Sequence, residues 1–269
     1  MIDVFQVLLF ALIGFATGIL SGLFGIGGGV VFVPVLFILF PGIGIPTDKV
    51  TLFVIATSLF AGSFASISSF INHLKAKHIE KSHALYLSLG ALLSALIVPT
   101  YADSINGFYL KLLIIIVLLF ASIKIYFQKN NAAENQIKNN LNKFVLFPTG
   151  IIIGGISSLT GLGGGIFYVP LLLSAWQLNV KNSIGTSSMV VFITMIAATI
   201  SYIFSSYHLN IFENSLGYIY LPAGFLLGLS AIPGAWLGVK FIKKSRESII
   251  KRIFSVFLLL AVIKIILEL

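Results

Sequence analysis

The chain has 269 residues, of which 58% are hydrophobic and 9% charged, and a mean hydropathy of +1.07. That excludes an ordinary soluble domain, in which about a quarter of the residues are charged. The net charge of +9 does not point to nucleic acid, because the basic residues cluster between apolar runs, and the absence of cysteine excludes disulfides, thiolate zinc sites and cysteine catalysis.

The N-terminal Met1-Ile-Asp-Val-Phe5 has no basic region ahead of its apolar run. The first run, 4–24, is therefore read as a span rather than a cleaved signal. Further runs follow at 30–40, 50–72, 84–101, 109–127, 144–160, 165–176, 184–205, 217–239 and 249–267. Most approach the ~20 residues that cross a bilayer core of about 30 Å. The runs 30–40 and 165–176 reach only about 16–18 Å as helices and cannot cross alone. The roughly ten-residue alternating segments of a transmembrane barrel are absent. The fold class is an all-α polytopic membrane protein.

Each short run follows a glycine cluster. Gly25-Ile-Gly-Gly-Gly-Val-Val-Phe-Val-Pro34 matches Gly161-Leu-Gly-Gly-Gly-Ile-Phe-Tyr-Val-Pro170 at six of ten positions, 136 residues further on. At the same offset Gly14, Gly18 and Ser21 match Gly150, Gly154 and Ser157. Thr57-Ser58 matches Thr186-Ser187. Gly90, Leu92, Leu93 and Pro99 match Gly224, Leu226, Leu227 and Pro233 at an offset of 134, and Ala121, Ile123, Lys124 and Ile125 match Ala261, Ile263, Lys264 and Ile265 at 140. The chain thus reads as two membrane repeats, 1–127 and 144–269, joined by the Asn-rich polar linker 128–143.

Charge sets the orientation. With loop 73–83 and the linker in the cytoplasm, alternation puts Lys181 and loop 240–252 there too, giving 13 basic residues inside against Lys49 and Lys111 outside. This is the expected cytoplasmic excess of lysine and arginine. Five segments per half is an odd number, so the second repeat enters the membrane upside down. Charge alone does not decide whether each long–short pair is two crossings or a re-entrant hairpin.

The glycine clusters are the candidate site. Glycine weakens helices, and a broken helix in hydrocarbon is tolerated only where it is buried in protein or lines a cavity. Paired breaks in the two halves of a chain point to a transporter's binding site. A helix starting after each cluster leaves about four N–H groups unpartnered and carries about half a positive charge, so two such ends form an anion site. The competing reading is close helix packing through small residues. The candidate residues are Gly25, Gly27, Gly28 and Gly29 with Gly161, Gly163, Gly164 and Gly165, joined by the hydroxyls of Thr57, Ser58, Thr186 and Ser187. All eight carboxylates fall at segment ends or in loops, against a buried carboxylate proton relay. His73, His78 and His83, five apart, share no helix face and read as a solvated loop without metal.

The pattern Gly22-Leu-Phe-Gly-Ile-Gly-Gly-Gly29…Val33-Pro34, repeated as Ser158-Leu-Thr-Gly-Leu-Gly-Gly-Gly165…Val169-Pro170, resembles the TauE/SafE sulfite exporters, also called toluene-sulfonate uptake permeases. The likeness covers essentially the whole chain. It implies a carrier or facilitator in a cell membrane, the inner membrane of a prokaryote, that moves sulfite, sulfonates or thiosulfate past the two glycine clusters without a cofactor. Its partners would be the lipid bilayer and a small anion, not nucleic acid. A homodimer is compatible with the sequence, but no interface is legible in it. Two other function classes stand beside this one. A membrane scaffold would explain the apolarity but not the paired breaks. An intramembrane enzyme would need a histidine or lysine base within a span, and no predicted span holds a histidine.

Overall fold

An apolar chain away from water can satisfy its own N–H and C=O groups by coiling, and the computed structural model is built almost wholly of helices. It describes residues 4–127, 143–206, 212–241, 258–260 and 262–267. In order these form α1 (Val4–Phe24), α2 (Gly29–Ile43), α3 (Val50–Lys75), α4 (Lys81–Ile97), α5 (Gly107–Phe127), α6 (Leu146–Thr160), α7 (Gly165–Ser174) and α8 (Val180–Ser206). A small antiparallel hairpin, β1 (Ser215–Leu216) and β2 (Ile219–Tyr220), then leads into α9 (Leu221–Phe241). A 3-10 turn, Val98–Ser104, prolongs α4, another, Lys143–Val145, opens α6, and helical residues recur within Leu258–Leu267. The rest of the linker 128–143 and most of loop 240–252 lie outside the described residues.

The apolar runs become helices close to their expected bounds, except that residues 249–257 of the last run lie outside the described residues. Two differences have local causes. The run expected at 84 starts at Lys81, directly after the extended residue Glu80. The run expected at 217 starts at Leu221, because residues 215–220 turn back on themselves through Gly217, whose φ is +57°. Among the described residues, α1, α3, α4 with its prolongation, α8 and α9 are long and apolar enough to cross a membrane. α2 has 15 residues and α7 has 10, so they are about 22 and 15 Å long.

Glycine lets these helices touch backbone to backbone. A Cβ added at Gly14, Gly18 or Gly22 on α1 would collide with the carbonyl of Leu227, Ala231 or Ala235 on α9. The numbers rise together, so the two helices run parallel. α6 packs the same way on α4, Gly150 against Leu87 and Gly154 against Ala91. α3 runs along α9, tied by Thr57 to Tyr220 and by Ser68 to the Ile232 carbonyl at 2.8 Å. α8 runs along α4, tied by Thr186 to Glu80 and by Ser201 to the Leu96 carbonyl at 2.7 Å.

The result is two groups of three parallel helices, α1–α3–α9 and α6–α8–α4, that correspond when the halves are exchanged. Each group borrows one helix from the other half of the chain. The contacts also correct one register. Glu80, Leu87 and Ala91 occupy the places of Tyr220, Leu227 and Ala231, an offset of 140 and not the 134 suggested by Gly90 and Gly224. Matches of leucine with leucine are uninformative in a chain this rich in leucine. α3 lies deepest, and α1, α4, α5 and α9 present large apolar side chains outward.

Candidate functional site

The two glycine clusters are left-handed turns. φ is +66°, +76° and +87° at Gly25, Gly27 and Gly28, and +76°, +80° and +78° at Gly161, Gly163 and Gly164. Residues with a Cβ rarely adopt this region, so the cluster ends α1 or α6 and redirects the chain. Gly28 and Gly164 are the N-caps of α2 and α7, and neither helix has a side-chain cap. Their carbonyls accept the N–H groups of Val31 and Phe32, and of Phe167 and Tyr168, at 2.9–3.0 Å. All eight candidate glycines are buried.

The two turns lie against each other. A Cβ on Gly29 would collide with the Gly161 carbonyl, and one on Gly165 would sit 2.6 Å from the Gly25 carbonyl oxygen. The Thr-Ser pairs brace this meeting point. Ser58 Oγ donates to the Gly161 carbonyl at 2.9 Å, and Ser187 Oγ donates to the Gly25 carbonyl at 3.0 Å. Thr57 Oγ1 accepts the Tyr220 N–H and Thr186 Oγ1 accepts the Glu80 N–H, both at 3.0 Å. Every one of these bonds crosses from one half of the chain to the other. The structure therefore brings all twelve candidate residues into one region, with the hydroxyls of Ser58 and Ser187 donated to main chain.

Sequence reasoning missed the residue between the turns. Met195 on α8 is fully buried and fills the space that Gly27, Gly163 and Gly62 leave open. Its Sδ lies 3.1, 3.3 and 2.7 Å from where a Cβ would stand on each of them. It breaks the correspondence of the halves, since Ser66 occupies the matching place on α3 if the register of Thr57 and Thr186 is followed. Only the fold could reveal it, because a lone methionine in an apolar helix carries no sequence signal.

The histidine reading needs correction. α3 extends to Lys75, and His73 in its last turn is fully buried rather than solvated. Its Nε2 lies 3.2 Å from the Gly22 carbonyl and its Nδ1 lies 3.3 Å from His78 Nδ1. The imidazole thus ties α3 to the end of α1, and its ring nitrogens face a carbonyl and a second imidazole, not a serine. Among the described residues no three His, Cys, Asp or Glu side chains gather to hold a metal.

The charged groups sit at the ends of the helices. Asp48, Glu80, Asp103 and Glu213, the carboxylates among the described residues, are all at least partly exposed. Lys49 pairs with Asp103 at 2.9 Å, and Tyr218 donates a hydrogen bond to the same carboxylate. Burial, and then the Asp103 carboxylate, raise the Tyr218 phenol far above its ordinary value, so it remains a neutral donor. This cluster joins the start of α3, the end of α4 and the β-hairpin on one face.

Comparison with known proteins matches this arrangement to a family. The family model described as sulfite exporter TauE/SafE matches residues 10–265. A probable membrane transporter protein of Methanocaldococcus jannaschii is 33% identical over 242 residues, 88% of this chain and 86% of that protein. A probable membrane transporter protein of Haemophilus influenzae is 32% identical over 266 residues, 97% of this chain and 98% of its own. The Bacillus subtilis probable membrane transporter protein YunE is 24% identical over 244 residues, covering 85% and 84%. No solved structure matches. With its glycine turns, apolar spanning helices and full-length likeness to these proteins, the chain belongs to the TauE/SafE sulfite exporter family and is a multi-pass membrane transporter.

Proposed function

We propose that the protein carries small sulfur-containing anions, such as sulfite, an organosulfonate or thiosulfate, past the meeting point of the two glycine turns. The single observation behind this reading is that two helix N-termini without side-chain caps, those of α2 and α7, abut in the buried centre. Each end presents unpaired N–H groups and about half a positive charge. Together they offset the loss of water around an anion without a buried lysine or arginine. The absence of interior carboxylates among the described residues supports an anion over a cation.

The eight glycines border the path in this reading, and Thr57, Ser58, Thr186 and Ser187 hold the turns in register across it. The two repeats, 1–127 and 144–269, sit inverted in the membrane, a reading supported by the antiparallel course of α3 and α8, in which Gly62 meets Met195 while Phe70, further along α3, stacks on Phe192. Met195 closes the centre in this conformation. Movement of the α1–α3–α9 group against the α6–α8–α4 group would uncover the turns to each side alternately, as expected of a carrier built from repeats. The moving units are the mixed groups and not the sequence halves, because α4 and α9 are exchanged between them. The chain works as a carrier or facilitator and catalyses no reaction.

Flux into proteoliposomes tests this. The purified protein should give saturable uptake of at least one of sulfite, thiosulfate and a small sulfonate, with inhibition by the others. An absence of flux for all three, together with no thermal stabilisation by any of them, would leave the scaffold reading in its place.

A further inference from the structure

The segment 76–80 carries the chain from one helix group to the other, from α3 to α4. Lys77 turns it with a φ of +58°. The N–H groups of Lys77 and His78 return to the carbonyls of Leu74 and His73, at 3.1 and 3.0 Å. This is the Schellman ending of a helix, with Lys77 where glycine is usual, and the side chains at the places of His73 and His78 commonly make an apolar contact. Here both are imidazoles, with their Nδ1 atoms 3.3 Å apart. On its other side the His73 ring reaches the Gly22 carbonyl of α1. The His78 carbonyl packs against Gly185 of α8, and the Glu80 N–H is bonded to Thr186. The contact between the imidazoles therefore bridges the two helix groups.

A carbonyl only accepts, so His73 holds its hydrogen on Nε2 and presents a lone pair at Nδ1. His78 Nδ1 must then be the donor. A proton from water, added at Nε2 of the half-buried His78, keeps this bond and makes it charge-assisted, roughly twice as strong. The opposite end of the molecule has no such option. In the register that pairs Thr57 with Thr186, His73 corresponds to Tyr202, and in the one that pairs Glu80 with Tyr220, His78 corresponds to Tyr218. Tyr202 donates to the carbonyl of Ser158, the counterpart of Gly22, at 3.2 Å. Two phenols thus stand where the first half has two imidazoles, and phenols stay neutral around pH 7.

Few other charges surround the pair among the described residues. α1 carries no ionisable side chain. Lys75 and Lys77 end α3, Glu80, Lys81 and His83 stand at the start of α4, and Lys181 stands at the start of α8. Lys240, in the last turn of α9, lies over the Trp236 ring. Of all these groups, His78 is the one that meets the His73 ring.

We infer that His78 binds a proton at the end of the molecule that the charge distribution assigns to the cytoplasm, and that the bound proton locks the two helix groups together there. This rests on the anion-carrier reading and adds its regulation: acid on that side slows the carrier, and acid on the other side finds no matching lock.

The test places a single cysteine in the cysteine-free chain. Ile184 on α8 is buried against Gly25 of the first glycine turn. Ile184→Cys should therefore react with an uncharged maleimide only when the groups part at this end. Labelling rates in detergent are compared with His78 present and with His78→Gln, whose amide donates to His73 but takes up no proton. The ratio of the two rates removes the pH dependence of the thiol itself. The rates should agree at about pH 7.5 and diverge by about pH 5.5, across the range in which imidazole gains its charge. At the lower pH the protein with His78 should label about fivefold more slowly, the step from a neutral to a charge-assisted hydrogen bond. Proteoliposome uptake of a small sulfonate, whose charge is constant over that range, should slow by a similar factor relative to His78→Gln. Uptake also reads the lock if Ile184→Cys does not fold. A ratio that stays the same at both pH values would overturn the inference. Faster labelling with His78 at the lower pH would overturn it as well, since the proton would then sit on His73 and break the bond. A lock seen in labelling, without uptake of any sulfur anion, would remove the carrier reading alone.

Discussion

At the residue scale, the glycines differ sharply in what they tolerate. A Cβ on Gly29 or Gly165 meets the main chain of the opposite turn, whereas one on Gly42 meets nothing within 4 Å. Backbone cannot yield as a side-chain tip can, so Gly29→Ala and Gly165→Ala should sharply reduce folded protein, read as the monodisperse fraction in detergent. Gly42→Ala should leave that yield within error. Ser58→Ala and Ser187→Ala each strip a buried carbonyl of its donor. They should cost about 1–2 kcal/mol of stability, seen as a lower melting temperature. Met195→Ala opens the space between the turns. It should raise the flux of a larger sulfonate relative to sulfite, since a flexible thioether fills irregular gaps and alanine does not.

At the scale of the element, the close parallel pairs α1–α9 and α6–α4 are what glycine contributes apart from any site. In membranes such packing rests on dispersion and small residues, because lipid is as apolar as leucine. A large side chain in that seam has nowhere to go. Gly18→Leu and Gly154→Leu should separate the pairs and shift the protein to aggregate on size-exclusion chromatography. Leu8 lies on the outward face of α1 and is 65% exposed, so Leu8→Ala should elute as the parent protein does. Much of this is legible in the sequence, where Gly14, Gly18, Gly150 and Gly154 recur in both halves and small residues favour close helix packing. The structure sorts the glycines into two kinds. Those within α1, α4, α6 and α9 are seams, and those with positive φ are turns.

At the scale of the whole molecule, the Lys49–Asp103–Tyr218 cluster gathers three segments that the charge distribution assigns to the outside. On the opposite face the His78 carbonyl blocks any side chain at Gly185 near the start of α8. The cysteine-free chain makes sidedness directly measurable. Single cysteines at Asn106 and Glu213 should react with an impermeant thiol reagent in intact cells, and one at Lys77 only after permeabilisation. All three positions are exposed, so reactivity reports side and not burial. Equal labelling of all three would refute the inverted arrangement.

Composition and spacing were enough to establish a helical membrane protein, the places of its helices and the pairing of two glycine clusters, because hydrophobic run length and unavoidable glycine turns are local properties. The tertiary structure alone decided three things. It exchanged α4 and α9 between the two helix groups, placed Met195 between the turns, and spent the protons of Ser58 and Ser187 on carbonyls while leaving Ser21 and Ser157 unpartnered. Such facts depend on which groups meet across more than a hundred residues, and no local pattern of side chains encodes that meeting.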